Sequence, residues 1–183
     1  FVIPGAVDLK RKPLQVIFDS LSELSSEQLS KIRIIILGRP ISDLDSDYCI
    51  SLKEHFKDSV VVFEEFIPSD VFHNYMAGSS YVLGSIQVNH EDIYLKETYG
   101  TTKGSGVFGQ AIGYSKPLII NSDFSVPSQL KMSTLHYRNQ DDLRNIFEKI
   151  INDDDFNEKI KTIAENNSKL FTIDKISASV DLI

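Results

Sequence analysis

The chain has 183 residues, of which 42% are hydrophobic and 10% aromatic, so it lies in the size range of one domain and can bury its own core. Its 19 basic and 26 acidic residues give a net charge of −7, which argues against a general affinity for nucleic acid or anionic membranes. Any anion site must therefore be a local cluster of positive charge. The single cysteine excludes an internal disulfide framework.

Short apolar runs alternate with amphipathic stretches, which is typical of a parallel sheet covered by helices on both faces. Strands are predicted at residues 1–7, 32–37, 60–66, 81–86, 117–121 and 134–137. Helices are predicted at residues 14–24, 43–56, 69–77, 106–114 and 141–152, followed by a polar helical tail at 156–183. Right-handed crossovers then predict a single α/β domain, residues 1–183, with a doubly wound, Rossmann-like parallel sheet of about six strands whose ligands lie outside the carboxyl ends of the strands.

Local signals mark two of the helix starts and two long loops. Pro68 with Ser69 and Asp70 opens one predicted helix as cap and first-turn acid, and residues 139–142 do the same for another. The segments 87–103 and 122–132 follow predicted strands without periodicity of their own, so they are predicted to be long functional loops at the carboxyl edge of the sheet.

The chain begins at Phe1, within a predicted strand, so we expect it to be a piece of a longer protein. The apolar runs of the sequence are shorter than the roughly 20 residues of a membrane-spanning helix, and no membrane span is predicted. The cysteine usage favours a reducing compartment, and a cytoplasmic location is predicted.

The first predicted strand leads through Gly5 to the basic run Lys10, Arg11 and Lys12. In an acidic chain, adjacent cations at the carboxyl edge of a sheet favour a clamp for a diphosphate, which an arginine can bind through two parallel hydrogen bonds. The alternative is a solvated turn whose charges only aid solubility, as charge runs commonly are. Arg39, at the end of the next predicted strand, adds a cation on the same edge.

A glycine-rich segment, Lys103-Gly104-Ser105-Gly106-Val107, lies at the start of a predicted helix. Glycines let backbone amides approach a ligand closely, and a helix start presents unpaired N–H groups and partial positive charge, so the segment favours a bound phosphate. The alternative is a flexible loop whose glycines only permit a tight turn. The segment also matches G-x-G-x-x-G, but that pattern belongs directly after the first strand of a βαβ unit, so an NAD site is not predicted.

Motifs of several other functions are absent from the sequence. The histidines at 55, 73, 90 and 136 form no metal-binding pattern, and no metal is expected. Neither a G-x-S-x-G motif nor a Walker A sequence occurs, which removes support for a hydrolase or an ATPase. The triplet His90-Glu91-Asp92 is a minor candidate for reaching a ligand, with a solvated loop as the favoured interpretation.

Taken in order, these segments resemble the carboxy-terminal domain of retaining GT-B glycosyltransferases, the family-four-like (group 1) enzymes that use nucleotide-activated sugars. Residues 1–5 followed by Arg11 and Lys12 resemble the opening strand, glycine and basic element of that family, and residues 34–38 resemble its second strand. Residues 61–83 are similar to its base-binding loop, the following helix and the next strand.

The most extensive match is VFGQAIGYSKPLI at residues 107–119, which corresponds to the family's helix ending in glycine, any residue, proline and an apolar pair. Ser115 replaces the usual glycine. The family has two glutamates that bracket this region, one near the sugar and one near the ribose, and the corresponding residues here are Thr102 and Gln110. Gln110 can still hydrogen-bond ribose hydroxyls, whereas a carboxylate near the sugar would have to come from Glu91 or Glu97.

The resemblance implies that the chain binds a UDP-, GDP- or ADP-sugar donor, without a metal or a tightly bound cofactor. Arg11 and Lys12 are the predicted catalytic residues, because they would stabilise the departing nucleoside diphosphate. Gln110 would bind the ribose, and the backbone near Glu65 and Pro68 the base. The predicted donor-binding residues are Gly5, Arg39, Glu65, Pro68, Thr102, Lys103, Gly104, Ser105, Gly106, Val107 and Gln110.

The predicted function is therefore transfer of a sugar to an acceptor glycan or lipid-linked glycan, as in polysaccharide biosynthesis. The acceptor would bind through an amino-terminal domain that this chain lacks, so the chain alone is expected to be inactive. The first alternative is a catalytically degenerate module that binds nucleotide sugars or a partner. The second is a GT-B epimerase that acts on a nucleotide sugar.

Overall fold

The computed structural model describes residues 1–91, 96–98 and 105–172. Its strands are β1 (Val2–Pro4), β2 (Ile34–Leu37), β3 (Val60–Val62), β4 (Val82–Leu83), β5 (Asn89–Glu91), β6 (Lys96–Thr98), β7 (Leu118–Asn121) and β8 (Thr134–Tyr137). Six of them form one parallel sheet in the order β3-β2-β1-β4-β7-β8. The chain begins with the central strand β1, adds β2 and β3 on one side, and then adds β4, β7 and β8 on the other. The order of strands thus reverses between β1 and β4, and the predicted doubly wound sheet is confirmed.

The helices are α1 (Gln15–Ser22), α2 (Ser26–Ser30), α3 (Asp43–Phe56), α4 (Ser69–Gly78), α5 (Gly106–Gly113), α6 (Gln140–Asn152) and α7 (Asp154–Ser168). The bounds predicted for α3 are confirmed, and so is the start of α6, where the Asn139 side chain accepts from the Asp142 N–H. Pro68 does precede α4, although it caps the helix without a side-chain hydrogen bond. Residues 173–183 of the predicted tail lie outside the described residues.

The described structure corrects three local predictions. Helix α2 was missed, although Ser25 and Gln28 form the capping box that its sequence spells. The segment 87–103 contains the antiparallel pair β5 and β6, and the segment 122–132 leads into a 3-10 helix, Ser128–Ser133. Several strands are shorter than predicted; β1 ends before Gly5, whose positive φ of 86° is incompatible with extended pairing.

The sheet separates two apolar layers because alternate strand residues face opposite sides. Ile34 and Ile36 belong to the layer with α1, α3, α6 and α7, whereas Val82 and Ile120 belong to the layer with α4 and α5. Burial of these side chains on both faces fixes the sheet and brings the carboxyl ends of its strands to one edge. Ser115, at the end of α5, has the positive φ of 55° that the usual glycine would adopt with less strain.

Candidate functional site

A cavity of about 550 Å³, called here the first cleft, opens where the strand order reverses, opposite the start of α5. Open α/β sheets bind ligands at this kind of position, because the loops that follow the two central strands diverge there. The lining residues are Pro4, Gly5, Ala6, Asp8, Arg11, Lys12, Ile41, Phe72, Ile86, Ser105, Gly106, Val107 and Gln110. The basic run and the start of α5, far apart in the chain, thus meet around one cavity.

Two of the three cations of the basic run line the first cleft. The backbone N–H groups of Arg11 and Lys12 donate to the carbonyl oxygen of Asp8, at 3.0 and 2.7 Å, so residues 8–12 form a tight turn. This turn points Arg11 and Lys12 into the cleft, whereas Lys10 is exposed and is not part of the lining. Lys10 is thus solvated, whereas Arg11 and Lys12 are partly buried.

The turn is anchored from two sides. The Leu9 N–H donates to Oδ1 of Asp45 at 3.0 Å, and Asp45, which is 4% exposed, also accepts from the Ser42 hydroxyl at 2.6 Å. On the other side, the Gln87 N–H donates to the Arg11 carbonyl oxygen at 2.8 Å. These bonds tie the turn to α3 and to the segment after β4, so its backbone is fixed before any ligand arrives.

The ammonium group of Lys12 lies against the end of β1. Its Nζ donates to the Pro4 carbonyl oxygen at 2.9 Å, and a Cβ on Gly5 would lie only 3.0 Å from that nitrogen. Gly5 thus provides both the positive φ and the space that the lysine needs. Burial lowers the pKa of Lys12 to about 8, and the charge of Asp8 opposes that decrease. The Lys12 ammonium is therefore held in a partly desolvated position, where an anion in addition to Asp8 would be bound strongly.

Arg11 and Asp8 form an ion pair at the mouth of the turn. The Arg11 Nε lies 3.4 Å from Asp8 Oδ2, and the two side chains are 36% and 18% exposed. The terminal guanidinium nitrogens of Arg11 make no hydrogen bond to any residue that the structure describes. An incoming anion can therefore bind the two terminal nitrogens of the guanidinium while Asp8 stays paired with Nε.

Helix α5 directs its first turn at the same cavity. Its cap residue Ser105 has an extended backbone and makes no side-chain capping bond, and the first backbone bond of the helix runs from the Gly109 N–H to the Ser105 carbonyl oxygen. The N–H groups of Gly106 and Val107 precede that bond and donate to none of the residues that the structure describes, so an anion can accept from them. Gln110, one turn further, is partly exposed and lines the cleft.

Several predicted site residues are not brought to the first cleft. The side chains of Arg39, Glu65 and Pro68 are exposed or partly exposed and lie outside its lining. The Arg39 carbonyl oxygen accepts from the Val7 N–H, so the pairing of β1 with β2 continues past the ends of both strands and the Arg39 side chain stays in solvent. The predicted residues Thr102, Lys103 and Gly104 lie outside the described residues, as do the side chains of Glu91 and Glu97.

The cleft also contains residues that sequence reasoning missed. Asp8 lies two residues before the basic run, and this closeness in sequence is the available signal, although only the cations are predicted to bind a ligand. Ile41, Phe72 and Ile86 give the cleft apolar walls. Phe72 lies one turn after the start of α4, so its helix was predicted while the direction of its side chain was not.

A second cavity of about 620 Å³, called here the second groove, lies on the same edge beside β7 and β8. It is lined by Pro13, Gln15, Val16, Asp19, Ser85, Ile86, Gln87, Asn121, Asp123, Tyr137, Arg138, Asn139, Gln140 and Asp141. Most of its polar side chains already have partners. The Tyr137 hydroxyl donates to the Gly84 carbonyl oxygen at 2.8 Å, the Asn121 amide bonds both backbone groups of Ile86, and Arg138 pairs with Asp142.

Two further observations concern the described residues alone. Across residues 1–91, 96–98 and 105–172, no group of three or more histidine, cysteine or acidic side chains is arranged to hold a metal ion. In the same part of the chain, every helix is too short or too polar to cross a membrane.

No protein-family model matches the chain, and neither does any curated protein. Solved structures do share its fold. The C-terminal domain of a group 1 glycosyl transferase family protein (LpcC) from Francisella tularensis is 9% identical, with a TM-score of 0.65, over 93% of this chain and 84% of that chain. Anabaena Alr3699/HepE, solved in complex with UDP, is 16% identical, with a TM-score of 0.64, over 100% of this chain and 49% of that chain.

The catalytic domain of starch synthase IV from Arabidopsis thaliana, bound to ADP and acarbose, is 13% identical, with a TM-score of 0.61. The match covers 99% of this chain and 36% of that domain, so the chain spans only part of the two longer proteins. Identities this low show the fold alone. The predicted likeness to the carboxy-terminal domain of GT-B glycosyltransferases is confirmed at that level.

Proposed function

We propose that the first cleft binds the diphosphate of a nucleotide sugar and that the chain is the donor-binding part of a glycosyltransferase. The observation that carries the proposal is the meeting of Arg11, Lys12 and the start of α5 around one cleft, in a chain whose net charge is −7. Two cations and the unpaired N–H groups of a helix are complementary to a diphosphate, because together they share its charge.

The fold comparisons support this assignment. A group 1 glycosyl transferase domain has the same fold, and two of the similar structures contain UDP or ADP. Because the similarity is one of fold, the base of the nucleotide stays open, and we propose UDP-, GDP- and ADP-sugars as the candidate donors.

The chemistry follows from the charges. When a glycosidic bond to a nucleotide breaks, negative charge develops on the departing diphosphate. Arg11, Lys12 and the amides of Gly106 and Val107 would stabilise that charge without reorganising, since their backbones are already fixed. These groups can do so without a metal ion.

The remaining parts of the assignment are proposals of the same kind. Gln110 would bind the ribose through its amide, and the base would lie near Glu65 and Pro68. Lys103 and Gly104 stay predicted phosphate contacts, and Thr102 stays a predicted donor contact at the position of the family carboxylate near the sugar. The acceptor, a glycan or a lipid-linked glycan, would bind to another domain of a longer cytoplasmic enzyme of polysaccharide synthesis.

Calorimetric titration tests the donor site directly. We expect one or more of UDP, GDP and ADP to bind the chain, and the matching nucleosides, which lack phosphate, to bind at least 100-fold more weakly, because the charged contacts are the main source of affinity. Saturation by none of the three diphosphates would overturn the proposal. Assaying the longer protein with the corresponding sugar donors then tests transfer.

A second candidate is a module that binds nucleotide sugars without transferring them. It is favoured by one observation: the family carboxylate near the ribose is replaced by Gln110, and Asp8, the one acid among the described lining residues, is already paired with Arg11. Tight binding of a nucleoside diphosphate by the longer protein, with no transfer from any sugar donor, would support the module.

A further inference from the structure

Asp8 is an acidic residue in a cavity that otherwise suits an anion. It lines the first cleft next to Arg11 and Lys12, and its side chain is 18% exposed, so its carboxylate is accessible to an occupant of the cleft. A carboxylate beside a phosphate lowers the affinity for that phosphate through like-charge repulsion. Its presence therefore needs an explanation other than binding strength.

The contacts of Asp8 keep its charge close to both cations. Oδ2 lies 3.4 Å from the Arg11 Nε, and Oδ1 accepts from the Lys10 N–H at 3.2 Å. Its charge also acts on Lys12, whose pKa it raises against the effect of burial. A diphosphate that contacts both cations would therefore lie beside the carboxylate.

The donor and the product of a sugar transfer differ in charge at this place. In a nucleotide sugar the outer phosphate is bonded to both the inner phosphate and the sugar and carries one negative charge. In the free nucleoside diphosphate it is a terminal phosphate, whose second proton dissociates with a pKa of about 6. The free diphosphate thus carries about one additional negative charge at neutral pH. A fixed carboxylate repels the product more than the donor.

We propose that Asp8 is a specificity-determining residue that disfavours the free nucleoside diphosphate relative to the nucleotide sugar, and so promotes product release. This inference rests on the proposed donor site. It assigns to one side chain a selectivity that the cations and the helix start cannot provide, because both attract the more highly charged product more strongly.

The test is a comparison of two dissociation constants in the wild type and in Asp8→Asn. UDP, GDP and ADP, and the glucose conjugate of each, are titrated by calorimetry at pH 7.5. Asparagine can keep the Oδ1 acceptor for the Lys10 N–H, while it removes the charge and replaces the Oδ2 atom that faces Arg11 with an NH2 donor. We expect about tenfold tighter binding of the free diphosphate and less than a threefold change for the glucose conjugate, since a single nearby charge commonly changes affinity by about a factor of ten.

Three further variants serve as controls. Asp8→Ser, a second neutral replacement, should shift the ratio of the two constants in the same direction, whereas Asp8→Glu should preserve it. Asp123→Asn removes the same charge from the second groove and should leave both constants unchanged. A purely structural role for Asp8 would alter the melting temperature without moving the ratio.

Loss of the Asp8 charge also lowers the Lys12 pKa, which affects the binding of both ligands, so the ratio of the two constants decides. Equal changes for the diphosphate and its glucose conjugate, or a shift of the ratio in favour of the glucose conjugate, would overturn the inference and leave the donor site intact. A wild type that binds none of the three diphosphates overturns the proposed function, and the inference with it.

Discussion

The first cleft and the second groove lie side by side on the carboxyl edge of one sheet, and their volumes are about 550 and 620 Å³. Ile86 lines both. They differ in what their polar groups do. Within the described residues, the first cleft presents the start of a helix, a lysine with spare donors and an arginine with an open edge, whereas the polar side chains of the second groove mostly bond the protein itself.

This difference shows that the size of a cavity does not identify a binding site. Buried polar groups must find partners, and a cavity whose polar side chains are already paired has few left for a ligand. Among the described residues, Arg11, Lys12 and the start of α5 each keep hydrogen-bond donors beyond those already bonded to the protein, which makes the first cleft suited to an anion. Four predictions, ordered by expected effect, test this contrast.

The largest effect is expected from removing the two cations of the first cleft. In the Arg11→Ala, Lys12→Ala double variant, each lost charged hydrogen bond should weaken nucleoside diphosphate binding by about 1.5–3 kcal/mol, or about 3–6 kcal/mol for both. Calorimetry measures the change. Lys10→Ala removes a cation from the same turn outside the lining and should change affinity less than threefold. Unchanged binding in the double variant would remove both residues from the site.

The next effect concerns the glycine under the lysine. Gly5→Ala should destabilise the fold by about 1–3 kcal/mol, because alanine is strained at a positive φ. The added Cβ, 3.0 Å from the Lys12 Nζ, should also displace the ammonium and weaken diphosphate binding about tenfold. Thermal unfolding and calorimetry measure the two changes.

Gly109→Ala is the matched control, since nothing lies within 4 Å of its added Cβ and it is inside α5. It should stabilise the chain by about 0.5–1 kcal/mol through its higher helix propensity. If Gly5→Ala behaved like Gly109→Ala, the close packing of Lys12 against β1 would be contradicted.

The meeting of the basic run with the start of α5 could be predicted because it depends only on topology. Both segments follow the central part of a parallel sheet at its carboxyl edge, so strand order alone brings them together. Side-chain direction depends on details that periodicity does not encode. Arg39 was expected at the cleft, but the Val7–Pro40 bridge continues the pairing and leaves the arginine in solvent.

Asp8 and Asp45 are residues near the first cleft whose roles the sequence pattern does not indicate. The role of Asp45 depends on a hydrogen bond from the backbone of Leu9, 36 residues earlier, and no local pattern indicates such a contact. The basic run does not indicate a role for Asp8, because the run is defined by its cations and Leu9 separates Asp8 from them. Several strands are shorter than their apolar runs predict, because pairing ends where the neighbouring backbone diverges.

The third prediction applies to the second groove. Tyr137→Phe removes the hydroxyl that donates to the Gly84 carbonyl oxygen in a buried position, and should cost about 1 kcal/mol of stability or somewhat more. Nucleoside diphosphate affinity should stay within twofold, because the hydroxyl supports the fold and faces no ligand. Tyr75→Phe removes a hydroxyl that bonds no described residue and should leave the melting temperature unchanged. A large loss of affinity in Tyr137→Phe would make the second groove part of the donor site.

The last effect, which is confined to alkaline pH, is the pH dependence that Lys12 gives to the first cleft. Burial lowers the Lys12 pKa to about 8, although the charge of Asp8, which is paired with Arg11, opposes that decrease. The ammonium is therefore charged at pH 7 and loses its proton above pH 8. Diphosphate affinity should therefore decrease about tenfold between pH 7 and pH 9, while the affinity of the nucleoside stays constant.

The same group should make the fold more stable as the pH rises from about 8 to 10.5, because in that window the unfolded chain binds the proton that the folded chain has released. Lys12→Arg, which keeps its charge, should bind diphosphate with nearly constant affinity up to pH 9. Calorimetry and thermal unfolding across pH 7–10 measure both dependences. If wild type and Lys12→Arg had parallel affinity profiles, the titrating group would lie elsewhere, and the first cleft would owe its anion affinity to Arg11 and α5 rather than to the buried lysine.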